Sequence, residues 1–279
     1  MKKLVLFLLA LSIMLGLTAG AEYDTDIWEI FDAGESFTAD FDNDENDETM
    51  RFSCALNEYD DGDFTLSVGD TSVTKKDCIG LEPKVYAMKA GYTWYYYGTV
   101  FMVNEYGPSD DPLTYCFLYT EGELIDLGMI PALVDSFKVG SDGVISTKIR
   151  AAAVGTWYRP VDYVLAVGSE EDANGEWRQI YSLCEVPRPF YPMNMLVTLK
   201  RDITLSSSLY DMGEDVSLSA GTKVALLASD ETSRLFVSDL TGQHRGWLAM
   251  RSIDWTDYIR LGDEYIEIDE VFDGILYAD

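Results

Sequence analysis

Carboxylates fall at positions 1, 3, 5, 8 and 9 of one short segment, with Glu45 a further one at position 6, counting from Asp40 in Asp40-Phe41-Asp42-Asn43-Asp44-Glu45-Asn46-Asp47-Glu48. In a tight loop this alternation points side-chain oxygens at one centre, the arrangement a hard cation such as Ca²⁺ requires for its six to eight oxygen ligands. An EF-hand is the wrong version of that chemistry. Its loop needs Gly at the sixth position and a bidentate Glu at the twelfth, where this chain has Glu45 and Arg51. The same residues could also be a solvated acidic turn that contributes only charge.

Catalytic constellations are sparse. The single His, His244, sits in the turn-like run Thr241-Gly242-Gln243-His244-Arg245-Gly246, and no motif marks Ser, Cys or Asp partners for it. Ser72-Val73-Thr74-Lys75 matches Ser-x-x-Lys, but the companion motifs of a penicillin-binding enzyme are missing. No phosphate-cradling Gly-rich loop is present. A pair of carboxylates for glycoside hydrolysis is the enzymatic alternative, because the deciding quantity there is a distance in space. Cys54, Cys78, Cys116 and Cys184 form no Cys-x-x-Cys pair, so zinc is disfavoured. Disulfides and buried free thiols both remain open for them, and nothing in the spacing selects a pairing.

The elements that must position these residues read as strands. Met50/Phe52/Cys54/Leu56, Phe64/Leu66/Val68 and Ile145/Thr147/Ile149 alternate, while Tyr95–Val103, Tyr115–Tyr119 and Tyr163–Val167 are continuous apolar or aromatic runs. Turn signals such as Asp61-Gly62, Glu121-Gly122 and Asn174-Gly175 separate them. Only Pro131–Phe137 has the look of a short helix. An all-β chain is expected, divided at the Pro-rich stretch Val186–Pro192, near residue 190.

The acidic segment resembles the calcium loop of FG-GAP and VCBS repeats, Asp-x-Asp-Gly-Asp-Gly-x-x-Asp, with its two glycines replaced by Asn43 and Glu45. On that resemblance Asp40, Asp42 and Asp44 are side-chain ligands, Asn46 offers a backbone carbonyl and Glu48 closes the site. It also implies a propeller-like or sandwich-like β domain over residues 22–190. Glu45 fits its glycine position poorly, since a left-handed backbone is costly for Glu.

Residues 191–255 resemble a bacterial Src-homology-3-like barrel, through Gly221 before an alternating strand and the Gly246-Trp247-Leu248 triplet. Such barrels bind cell-wall peptides or polysaccharide in aromatic grooves, and the match picks out Tyr210, Phe236 and Trp247 as ligand-binding candidates. A packed Trp247, with Gly246 admitting the turn before it, is the plainer reading of that triplet. In residues 256–279, Tyr258, Tyr265, Phe272 and Tyr277 are interleaved with acids, which predicts a tail packed on the body.

Charge bounds the partners. The chain carries 49 Asp+Glu against 20 Lys+Arg, a net −29, which excludes a basic nucleic-acid footprint. Disorder is excluded by 47% hydrophobic and 13% aromatic content. Residues 1–21 read as a secretory signal: Lys2-Lys3, the apolar run Leu4–Leu17, then Ala19-Gly20-Ala21. The run is too short to span a bilayer, so no transmembrane anchor remains after cleavage. Removing two Lys leaves 18 − 49 = −31. The expectation is a monomeric, non-enzymatic binding protein, secreted or held at the cell surface. Lys200-Arg201 is the one basic patch near the barrel that could meet an anionic polymer.

Overall fold

The computed structural model describes residues 29–92, 95–151, 153–171, 175, 177–209, 215–253 and 256–277, with only the backbone at 91, 92, 95–97 and 110. The expected signal segment and Tyr210 lie outside the described residues. The chain is all-β, in antiparallel sheets, and divides into two compact units, Met1–Ser146 with Asp162–Cys184 and Thr147–Val161 with Glu185–Asp279. The second unit therefore includes a segment N-terminal to the Pro-rich boundary. The physical reason is burial: Ala153 and Val154 are sealed in the second unit's core.

Among the described residues thirteen strands precede the Pro-rich stretch: β1 (Glu29–Asp32), β2 (Ser36–Ala39), β3 (Glu48–Leu56), β4 (Gly62–Val68), β5 (Thr71–Cys78), β6 (Lys84–Tyr92), β7 (Tyr95–Glu105), β8 (Leu113–Thr120), β9 (Glu123–Ile130), β10 (Lys138–Val139), β11 (Ile145–Arg150), β12 (Tyr158–Glu171) and β13 (Trp177–Glu185). They form three successive meanders, β2-β3-β4-β5, β6-β7-β8-β9 with β1 added beside β6, and β10-β11-β12-β13. Their first strands begin at residues 36, 84 and 138, so the repeats span 84 − 36 = 48 and 138 − 84 = 54 residues.

Alternation explains the first pair of sheets. Met50 and Phe52 of β3 and Phe64, Leu66 and Val68 of β4 share one core with Val85, Ala87, Phe101, Val103, Phe117 and Tyr119 of the next sheet. Residues Val100–Val103 and Cys116–Leu118 are all buried, because β7 and β8 are covered on both faces, which is why their sequences read as unbroken apolar runs. The short helix expected at Pro131–Phe137 is a single 3₁₀ turn, Val134–Ser136.

The second unit contains β14 (Tyr191–Leu199), β15 (Ile203–Ser206), β16 (Asp215–Leu218), β17 (Lys223–Ser229), β18 (Arg234–Asp239), β19 (Arg245–Ile253), β20 (Thr256–Leu261), β21 (Glu264–Glu267), the one-turn helix α1 (Ile268–Val271) and β22 (Phe272–Asp273). The strand order is β16-β15-β19-β18-β17-β14-β22, with β20 and β21 continuing from β19. Among the described residues no ladder joins β16 to β22, so the pairing forms an open sheet where a closed barrel was expected. Ile259, Ile268, Val271 and Phe272, all from residues 256–277, are buried in the same core as Val224, Leu226, Leu235 and Val237. Among the described residues no helix is long and apolar enough to cross a membrane.

Candidate functional site

The acidic loop joins β2 to β3 and is anchored by its one apolar residue. Phe41 is 3% exposed and packs edge-on against Phe101 at 5.2 Å, while its carbonyl accepts a hydrogen bond from Thr99 Oγ1 at 2.8 Å. With Phe41 pointing down, its neighbours Asp40 and Asp42 are held at the loop's base. Asn43 (φ 64°) and Glu45 (φ 72°), the two residues that stand where the calcium-loop pattern has glycine, are both left-handed. The conformation doubtful for Glu45 is therefore adopted. Its cost is offset locally, since the Asp40 carboxylate accepts the backbone N–H groups of Asp44 and Glu45, each at 3.1 Å.

This backbone brings carboxylate oxygens of Asp40, Asp42 and Glu48 within 4.8 Å of one another, each residue half-buried. Glu48 Oε2 accepts the Phe41 N–H at 3.0 Å, and Asp42 Oδ2 accepts the Gly122 N–H from the β8–β9 turn at 2.8 Å. Asp42 Oδ1 is buried and has no hydrogen-bond partner. Burial, opposed by the Phe41 hydrogen bond and reinforced by the charges of Asp42, Asp44 and Asp40, lifts the Glu48 pKa. Burial also lifts the Tyr119 hydroxyl to about 12, with Glu48 the foremost of the charges that add to it.

The remaining expected ligands do not join that group. Asp44 is exposed and turns its Oδ1 to the Asn46 N–H at 2.7 Å, closing the turn, and Asn46 is exposed as well. A divalent cation fits the chemistry of the donor set: three carboxylates converge, and one buried oxygen is unpartnered.

In the second unit Phe236 and Trp247 face each other across β18 and β19, ring centroids 4.7 Å apart. Phe190 also packs on the Trp247 ring, centroids 4.6 Å apart, and all three rings are half-buried. Sequence reasoning missed Phe190, because its Pro-rich surroundings carry no strand pattern. Gly246 serves this packing differently from the expectation. It needs no left-handed backbone; instead a Cβ there would lie 2.5 Å from the Ser206 carbonyl oxygen, so glycine lets β15 approach β19. The expected basic patch is committed elsewhere: Lys200 Nζ donates to the Asp269 carbonyl at 2.7 Å, and Arg201 pairs with Glu270 at 2.5 Å.

His244 is exposed and its Nδ1 lies 2.8 Å from Asp239 Oδ2. That contact, with hydrogen bonds from Thr241 and nearby backbone, holds the Asp239 pKa down at about 2. The four cysteines are free thiols. Burial raises Cys54 and Cys78 to about 11, so neither offers a thiolate for nucleophilic chemistry at neutral pH. No protein-family model matches this chain, and no match to it was found among curated proteins or solved structures.

Proposed function

We propose that this chain is a secreted, non-enzymatic binding protein of the bacterial cell envelope or extracellular space, whose first unit is held together by Ca²⁺ in the Asp40–Glu48 loop. The observation that carries the reading is the convergence of Asp40, Asp42 and Glu48 on a backbone left-handed at Asn43 and Glu45, the two glycine positions of the calcium-loop pattern. Asp40, Asp42 and Glu48 would supply side-chain oxygens. A bound Ca²⁺ offsets two of the three carboxylate charges whose mutual repulsion the bare fold must otherwise carry. Millimolar calcium outside cells suits a weak site of this kind. The Phe190–Trp247–Phe236 row is the contact surface proposed for a wall peptide or polysaccharide, on the Src-homology-3-like resemblance.

Thermal melting tests the calcium half. Calcium a hundredfold above its dissociation constant stabilises by about 2.7 kcal/mol, and the shift against chelator should disappear in Asp42→Ala. Equal melting temperatures with calcium and chelator would end the reading. Glu48 sets the pH sense. Its raised pKa means that, without metal, its contribution to stability is full below the unfolded pKa and is lost as pH rises through the folded one. Calcium needs the ionised form, so its stabilising effect should shrink as pH falls through that range. The binding half is read by co-sedimentation with purified cell wall in calcium, which Trp247→Ala should reduce several-fold while leaving the calcium shift intact.

A further inference from the structure

The sheet β6–β9 turns one face to the core it shares with β2–β5, and its other face is incompletely filled. A cavity of about 90 Å³ lies there within the first unit, its floor made by Val100, Cys116 and Leu127 and its walls by Ile145, Leu165 and Leu183. Leu165 and Leu183 are half-buried, whereas Val100, Cys116 and Ile145 are buried, so the space opens toward solvent on the side of the walls.

Water is a poor occupant. A trapped water needs two to four polar partners, but the buried polar group on the floor, the Cys116 thiol, already donates to the Thr114 carbonyl at 3.6 Å. Two charged residues also line the space, and both are exposed: Lys89, which is engaged in an interaction of its own, and Asp142, whose Oδ1 accepts the N–H of Val144 within its own turn at 3.2 Å. Size sets the other bound. An enclosed apolar cavity of about 150 Å³ takes up benzene, so this smaller space of about 90 Å³, open on one side, seats one small ring at most.

We infer that this cavity is a binding site for a small, uncharged apolar molecule of about the size of a single aromatic ring, a size set by the same comparison. Packing in protein interiors is otherwise dense, and a solvent-connected apolar hollow between two sheets is where such molecules are taken up.

Met88 also lines the cavity and supplies the reporter. With methionine methyls labelled by ¹³C, toluene added to the full chain should shift the Met88 resonance saturably, and 1,4-butanediol should not. Met193 and Met195, in the core of the second unit, should stay fixed. Val100→Phe fills the floor and should weaken the toluene response at least tenfold; Leu127→Phe does the same from β9 if the first variant does not melt cooperatively. Absence of a saturable Met88 shift in the unaltered chain overturns the inference. So does an undiminished shift in a folded filled variant, or an equal response to butanediol.

Discussion

Replacing Arg159 with Ala should cost the second unit about 3 kcal/mol, the low end of what breaking a buried ion pair costs, because one partner is partly exposed. Arg159 is only 11% exposed at its side chain, with Glu231 at 11% and Glu185 at 28%. Its guanidinium makes a fork to Glu185, with Nη1 at 2.7 Å and Nη2 at 3.2 Å, and lies 4.2 Å over the Tyr191 ring. Nε is 2.7 Å from Glu231 Oε2 but makes no aligned hydrogen bond, so that contact is an ion pair by distance. Tyr191 completes the cluster by donating to Glu185 at 2.7 Å.

The loss comes from removing the cation that two carboxylates face, not from the missing side chain alone. Adding Glu185→Gln and Glu231→Gln to Arg159→Ala should therefore restore much of it, as comparison of the triple variant with the single one by urea unfolding would register. A loss under about 1 kcal/mol would show that water already screens the cluster. The pH sense is fixed by Glu185, whose pKa the Arg159 hydrogen bond chiefly lowers. Its stabilisation is present above the unfolded carboxylate pKa and is lost as pH falls through the lowered folded value. Arg159→Ala should flatten that acid limb.

Phe272→Ala should be comparably severe, about 3–5 kcal/mol for truncating a buried Phe. Phe272 is 1% exposed, pairs with Leu199 across β14 and β22, and belongs to the same core as Val224, Leu235 and Leu248. Amides of β14 and β17 should lose most of their hydrogen-exchange protection, whereas Tyr265→Ala, at a ring 38% exposed, should change it little. Unchanged protection in Phe272→Ala would mean that the C-terminal residues decorate the sheet without closing its core.

Strands were legible wherever one face is buried, as in β3 and β4, and also where both faces are, as in β7 and β8, since period two and apolar runs report burial directly. The loop's three converging carboxylates were legible for a similar reason: spacing within one short segment is itself a geometry. Asp44 was less so, because a short Asp can either reach a cation or cap the next turn, and here the Asn46 N–H takes it. Arg159 gave no signal at all. Its partners stand 185 − 159 = 26 and 231 − 159 = 72 residues away, and a cluster assembled across such separations leaves no local pattern. The position of β22 beside β14 escaped for the same reason.

The pairing of β22 with β14 also orders events in time. Each meander of the first unit pairs strands that are consecutive in sequence, so its ladders need only short loops to close. The second unit must wait for Phe272 to meet Leu199, 272 − 199 = 73 residues apart. A chain delivered N-terminus first would hold the Thr198–Leu199 end of that β14 edge unpaired until Phe272 and Asp273 arrive, an interval in which it is open to pairing with other chains. Pulse-labelled exchange during refolding should find β3–β4 and β7–β8 protected before β14–β22, and simultaneous protection would contradict that order.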